Sequence, residues 1–290
     1  MLPKEILKKV KLLEISTRKM VNNLFAGEYH TVFKGQGLTF ADFREYVPGD
    51  EIRSISWTLT AKTGKPYVKR YDEERELTMM LAVDISGSGD FGSKDYLKGE
   101  VLVQLAAVLS FAAAKNNDRV GLLLFSDQIE HFVLPKKGRP HVHRILRDLL
   151  YFKPKSRGTD LKLALESLNG LMRKKATIFI LSDFLAPDFD KILRLVGRKH
   201  DVVAIVVEDD AEKSFPKVGL LEVEDVETGE KTLVDTSSPS FRRQYKENFR
   251  KLSQARDRQL TKAQIDKITV DTSHSFVDPL IKFFSSRHKK

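Results

Sequence analysis

Leu77-Thr78-Met79-Met80-Leu81-Ala82-Val83-Asp84-Ile85-Ser86-Gly87-Ser88 passes from an apolar run straight into an acid and two hydroxyls spaced two apart. A buried strand that ends this way delivers three oxygens to one small loop. Oxygen is the ligand type that a hard divalent cation such as Mg²⁺ takes. The same residues also serve as ordinary caps for a following helix. The loop therefore carries chemistry only if distant parts of the chain bring further ligands to it.

The chain after this strand alternates between two patterns. Val101, Leu102, Leu105, Val108, Leu109 and Ala112 keep to one stripe and predict a helix over 97–115. A continuous apolar strand follows at 120–125, and Ser126-Asp127-Gln128 turns into a shorter one at 129–134. Strands joined so tightly are antiparallel, because a parallel pair needs a crossover of about a dozen residues. Helices are then expected at Val142–Leu150 and 161–171, a strand at 177–181, a helix at 189–196 and a strand at 202–207. Strands that are apolar throughout and alternate with amphipathic helices imply a mostly parallel sheet covered on both faces. The fold class is α/β, with a doubly wound sheet.

Beyond that core, 219–235 reads as a hairpin turning at Thr228-Gly229. Ser238-Pro239 opens a long helix whose apolar stripe is Phe241, Tyr245, Phe249 and Leu252. A last strand at 268–270 and a helix at 276–284 complete the sheet. Upstream, Ile6, Val10, Leu13, Met20, Val21 and Leu24 place a helix over 2–26. Residues 28–75 show no long period. Gly35, Gly37, Pro48-Gly49-Asp50 and Gly64-Lys65-Pro66 punctuate short pieces there, and Tyr29, Phe33, Phe40, Phe43, Tyr46, Trp57, Tyr67 and Tyr71 recur between them. So many aromatics predict ordered structure packed on the sheet domain, with the charged run 72–76 as a paired seam.

Composition bounds the function. With 41% hydrophobic and 31% charged residues, 290 residues are a folded chain, and the absence of cysteine removes disulfides, thiolate chemistry and Cys-type metal sites. No apolar run approaches the roughly 18 residues of a membrane span. The first twenty residues lack the apolar centre of a signal peptide, so the protein is expected to be cytoplasmic. The net charge of +10 is concentrated in 136–175 and 241–290, where basic residues alternate with a core-like apolar period and carry no nucleic-acid motif.

In a doubly wound sheet of order 3-2-1-4-5-6, ligands bind beyond the carboxyl ends of the strands where the order reverses, between the first strand and the fourth. The first ends in Asp84 and the fourth in Ser182-Asp183, and the loop Ser156-Arg157-Gly158-Thr159-Asp160 lies between. Two carboxylates and the Thr159 hydroxyl thus arrive on one rim with Ser86 and Ser88.

The set Asp84-x-Ser86-x-Ser88, Thr159 and Asp183 resembles the metal-ion-dependent adhesion site of von Willebrand factor A domains. That resemblance implies a Mg²⁺ (or Mn²⁺) whose open coordination position takes an acidic residue of a partner protein. Asp90 adds a nearby carboxylate able to cap the ion when no partner is present. A second resemblance covers nearly the whole chain. Phe33-x-Gly35-x-Gly37, Phe40, Arg44-Glu45-Tyr46-x-Pro48-Gly49-Asp50, Arg53-x-Ile55-x-Trp57, Thr63-Gly64 and the run 68–77 look like the signature of domain of unknown function 58. Members of that family carry an A-type domain and are commonly encoded beside MoxR-type AAA+ ATPases. The resemblance implies an N-terminal family-specific segment over 1–75 and a von Willebrand factor A-like domain over 76–290, with 211–265 as a hairpin-plus-helix insertion. It also implies a non-enzymatic adaptor for a MoxR-type ATPase or its client.

Other readings compete. Gly87-Ser88-Gly89-Asp90-Phe91-Gly92 satisfies G-x-G-x-x-G, but 93–96 separate it from the helix that should meet a pyrophosphate. His141-x-His143 lies on a helix, where residues two apart face different ways. The basic C-terminal third offers a nucleic-acid-binding alternative, and the metal a phosphate-ester hydrolase. No His, Cys or Lys of the site motifs is placed to act as acid, base or nucleophile.

Overall fold

The computed structural model describes residues 10–17, 20–21, 38–73, 77–93, 96–215, 217–224 and 229–288. It divides into two compact units, Phe33–Leu77 and the pair Met1–Val32 with Thr78–Lys290. In the smaller unit, β1 (Leu38–Glu45) pairs antiparallel with β2 (Tyr67–Glu73), and α1 (Trp57–Thr63) lies between them in the chain. Gly64, at φ 71°, takes the left-handed cap that ends α1. Arg44 grips both oxygens of Asp50 at 2.7 Å, and the Val47 amide donates to Asp50 as well, which closes the Pro48-Gly49 turn. The aromatic-rich stretch is thus built of regular pieces; the expected seam at 72–76 involves side chains outside the described residues.

The larger unit runs β3 (Thr78–Asp84), α2 (Lys98–Lys115), β4 (Arg119–Phe125), β5 (Ile129–Lys136), α3 (Arg139–Tyr151), α4 (Leu161–Leu171), β6 (Thr177–Ser182), α5 (Asp190–Lys199), β7 (Asp201–Glu208), α6 (Asp210–Lys213), β8 (Leu220–Glu224), β9 (Lys231–Asp235), α7 (Pro239–Lys262), β10 (Asp266–Asp271) and α8 (Val277–His288). Upstream, residues 10–17 and 20–21 are helical; the rest of the helix expected over 2–26 lies outside the described residues. Six strands form one sheet in the order β10-β7-β6-β3-β4-β5, parallel except for β5. This is the doubly wound architecture that the sequence predicts, with the reversal between β3 and β6.

The reason lies in β3. From Met79 to Asp84 every side chain is buried, because the strand has a neighbour on each side and helices on both faces. Met80 and Ala82 join a cluster with Leu161, Leu165 and Leu168 of α4 and Leu193 and Val196 of α5. Met79, Leu81 and Val83 alternate to the opposite face. One glycine is required by this packing: a Cβ on Gly121 of β4 would meet Met80 Cε at 2.7 Å and Pro135 of β5 at 2.9 Å.

Between β7 and β10 the hairpin β8–β9 and the helix α7 are inserted, the hairpin's turn at 225–228 lying outside the described residues. Ser238 caps α7 by accepting from the Phe241 amide, with Pro239 as its first residue. Phe241 and Tyr245 pack edge-on against Phe215. The expected apolar stripe fails at Leu252, which is 54% exposed; Arg256 and Leu260 are the buried residues of this helix instead.

Candidate metal centre

Asp84 and Ser182 sit at the carboxyl ends of adjacent parallel strands, with Val83 opposite Leu181. Asp84 is buried. Its Oδ1 accepts from the Ser86 amide at 3.0 Å, and its Oδ2 accepts from the Ser182 hydroxyl at 2.7 Å. The turn from Gly87 to Asp90 then brings the Ser86 and Ser88 hydroxyls within 3.1 Å of each other. The Gly87 amide donates to the Arg157 carbonyl at 2.8 Å, which fixes the loop bearing Thr159 beside the first loop. Asp160 ends that loop, bonding the Ser126 carbonyl through its amide and capping α4 by accepting from the Leu163 amide at 2.9 Å.

Asp183 follows directly on β6. Its Oδ1 accepts from the Leu185 amide at 3.1 Å, and its Oδ2 accepts from the Lys98 ammonium at 3.1 Å. Burial pushes the Asp84 carboxyl up to about 6, and the negative charge of Asp183 adds to it, against the bonds from Ser182 and Ser86. The two acids are thus close enough to feel each other. All five residues singled out in the sequence lie at this one end of the sheet, Asp84 as the last residue of β3, Ser86, Ser88 and Asp183 just after strands, and Thr159 in the loop before α4. Asp90 shares the turn with Ser88 and is exposed.

Among the described residues no three His, Cys, Asp or Glu side chains form a group that could hold a metal ion by themselves. A cation held here takes hydroxyl oxygens as well as carboxylates, and the donor set Asp84, Ser86, Ser88, Thr159 and Asp183 offers only hard oxygens, as Mg²⁺ requires. Two mutually repelling carboxylates, the paired hydroxyls of Ser86 and Ser88 and the loop that bears Thr159 fit such an ion.

His141 and His143 do not form a second site. His141 Nε2 bonds the Val120 carbonyl at 2.9 Å, and His143 Nε2 bonds Glu14 at 3.1 Å. The G-x-G-x-x-G stretch is a short 3-10 turn, and the next helix begins only at Lys98.

Four residues near the rim escape the sequence reading: Lys98, Glu208, Glu212 and Arg256. Lys98, 3% exposed, bridges Asp183 and Glu212. Arg256, also buried, donates from α7 to the Asp183 carbonyl at 3.2 Å and to Glu208 at 2.6 Å. A signal existed for both cations. Lys98 stands four before Leu102 and seven before Leu105, on the apolar stripe of α2; Arg256 stands four before Leu260. A charge in the register of a buried stripe needs a buried partner.

The model of a family described as "Protein of unknown function DUF58" matches residues 42–255. The chain belongs to this family. The match contains all five oxygen donors together with Lys98 and Glu212, and stops one residue before Arg256. An uncharacterized protein of Mycobacterium tuberculosis (strain ATCC 25618 / H37Rv), Rv1480, is 31% identical over 223 residues, covering 76% of this chain and 70% of that protein. The uncharacterized protein Mb1516 of Mycobacterium bovis gives the same figures. Among solved structures, the conserved hypothetical protein BatB from Bacteroides thetaiotaomicron is similar at 14% identity and a TM-score of 0.50, over 74% of this chain and 100% of that one. At that distance the likeness is one of fold. Among the described residues of this family member, no helix is long and apolar enough to cross a membrane.

Proposed function

We propose that this chain is a non-enzymatic interaction adaptor that holds Mg²⁺ or Mn²⁺ through Asp84, Ser86, Ser88, Thr159 and Asp183. A bound ion supplies a coordination position that an acidic residue of a partner protein fills. The observation that carries the reading is the meeting of Asp84 and Asp183, distant in sequence, at the switch point of the sheet beside the paired hydroxyls of Ser86 and Ser88. The chain's own part is positional. Ser182 and the Ser86 amide orient Asp84, and the bond from Gly87 to Arg157 keeps the Thr159 loop on the same rim. Hydroxyl ligands add no charge, so a cation held by them retains attraction for an outside carboxylate. We assign the partner to the MoxR type of AAA+ ATPase, or to its client, with remodelling of a protein complex as the shared task.

Calorimetric titration with Mg²⁺ and Mn²⁺ tests the site: wild type binds, and Asp84→Ala binds at least about a hundredfold more weakly, since an anchored carboxylate is lost from the ligand set. Equal affinity in both proteins refutes the assignment. Capture of a MoxR-type ATPase should disappear with chelator and return with added Mg²⁺. Binding that ignores chelator and weakens steeply with salt would point to a phosphate backbone instead. Metal-dependent hydrolysis of phosphate esters, lost with Asp84→Ala, would make the protein an enzyme.

A further inference from the structure

Lys98 is the first residue of α2, a place where the unpaired amides of the helix disfavour a cation. It is also buried, which disfavours its charge again. The fold nonetheless brings its ammonium to Asp183 Oδ2 at 3.1 Å and to Glu212 Oε1 at 2.6 Å. Glu212 is itself fixed, its other oxygen accepting from the Asp209 amide at 3.0 Å. The two carboxylates, at 3.1 and 2.6 Å, supply the counter-charge that a buried ammonium needs. A hydrophobic residue would fill the same place in the α2 stripe with none of these penalties.

We propose that Lys98 sets the charge of the rim, so that the chain alone holds a divalent cation loosely and an outside carboxylate completes the binding. The inference rests on the metal site proposed above. Three carboxyl groups, Asp84, Asp183 and Glu212, face one ammonium, an excess of acid that a divalent cation offsets. An arriving carboxylate then meets less negative charge than it would without Lys98. Were Lys98 absent, the loaded rim would keep a negative charge: the ion would be gripped harder and the partner's acid repelled. Lys98 thus trades affinity for the metal against affinity for the partner, and Glu212 fixes how far.

The test is Mn²⁺ titration of the full chain by calorimetry, alone and with saturating acetate as the carboxylate probe. Lys98→Met should bind Mn²⁺ at least about tenfold more tightly, because a cation near the metal has been removed, and should lose the gain in affinity that acetate gives wild type. Glu212→Gln removes a negative charge, so its changes run the other way: weaker Mn²⁺ binding and a larger acetate effect. The two variants move in opposite directions, so a merely structural Lys98, whose loss would weaken Mn²⁺ binding, is told apart. If Lys98→Met fails to fold, Glu212→Gln decides the matter by itself. Wild type that binds Mn²⁺ while either folded variant binds unchanged, or shifts the wrong way, overturns this inference and leaves the metal site standing. Wild type that shows no binding sensitive to Asp84→Ala overturns both.

Discussion

Asp84 and Asp183 end neighbouring parallel strands, but the first is held by neutral donors, the Ser86 amide and the Ser182 hydroxyl, and the second by a buried ammonium. The backbone beside each differs in the same sense. The carbonyl of Asp183 accepts from the Arg256 guanidinium, whereas the loop after Asp84 is tied down by an amide-to-carbonyl bond from Gly87 to Arg157. Neutral donors fix a carboxylate without cancelling its charge, so the donors to Asp84 bring no counter-charge. Asp183 already shares its charge. One acid of the pair is held without a counter-charge and the other with one.

The cationic side of this contrast should break most violently. Arg256→Ala leaves Glu208 buried without the guanidinium and the Asp183 carbonyl without a donor. Loss of one partner of a buried ion pair costs about 3–5 kcal/mol. Chemical denaturation should show a loss of that order, and a loss below about 1 kcal/mol, the worth of an exposed pair, would mean that the anchor is not a buried one.

The neutral side is sharpened by pH. Folding raises the Asp84 carboxyl from 3.8 to about 6, by burial first and by Asp183 second, so the folded chain binds this proton more tightly than the unfolded one. The resulting stability is present below pH ~4 and is lost as pH rises through about 6, a change of roughly 1–3 kcal/mol. Metal-free protein should therefore lose stability across that window, and Asp84→Asn should remove this part of the slope. A wild-type slope identical to that of the variant would show that Asp84 is not the acid strained by burial.

The smallest expected effect is at Ser182. Ser182→Ala deletes one hydroxyl donor to Asp84 and should cost about 1 kcal/mol at neutral pH while moving the Asp84 transition upward. Unchanged stability together with an unchanged transition would mean that the 2.7 Å bond is not holding the carboxylate.

The large unit was legible in the sequence because its central strands are buried on both faces and so are apolar throughout, which fixes both their number and their parallel direction. Ser126-Asp127-Gln128 likewise betrayed the antiparallel edge, since three residues cannot make a crossover. Once the strand order is written down, Asp84 and Asp183 fall together without further information. Lys98 and Arg256 did not emerge, because periodicity scores a charge within an apolar stripe as noise, and only the fold shows which carboxylates wait for it. Leu252 misled for the converse reason: helical spacing names a face, and packing decides how far along the helix that face is covered. The smaller unit was least legible, because its two strands mix apolar and charged residues and its helix has only seven residues.

Pro135 has a consequence for life in a crowded solution. It lies in β5, the strand at one margin of the sheet, and among the described residues no strand pairs along that margin's outer side. A bare margin is a template on which another chain's backbone can add itself, and proline, with no N–H to offer, interrupts the row of donors such addition would use. The ring that Gly121 makes room for therefore also guards against self-assembly.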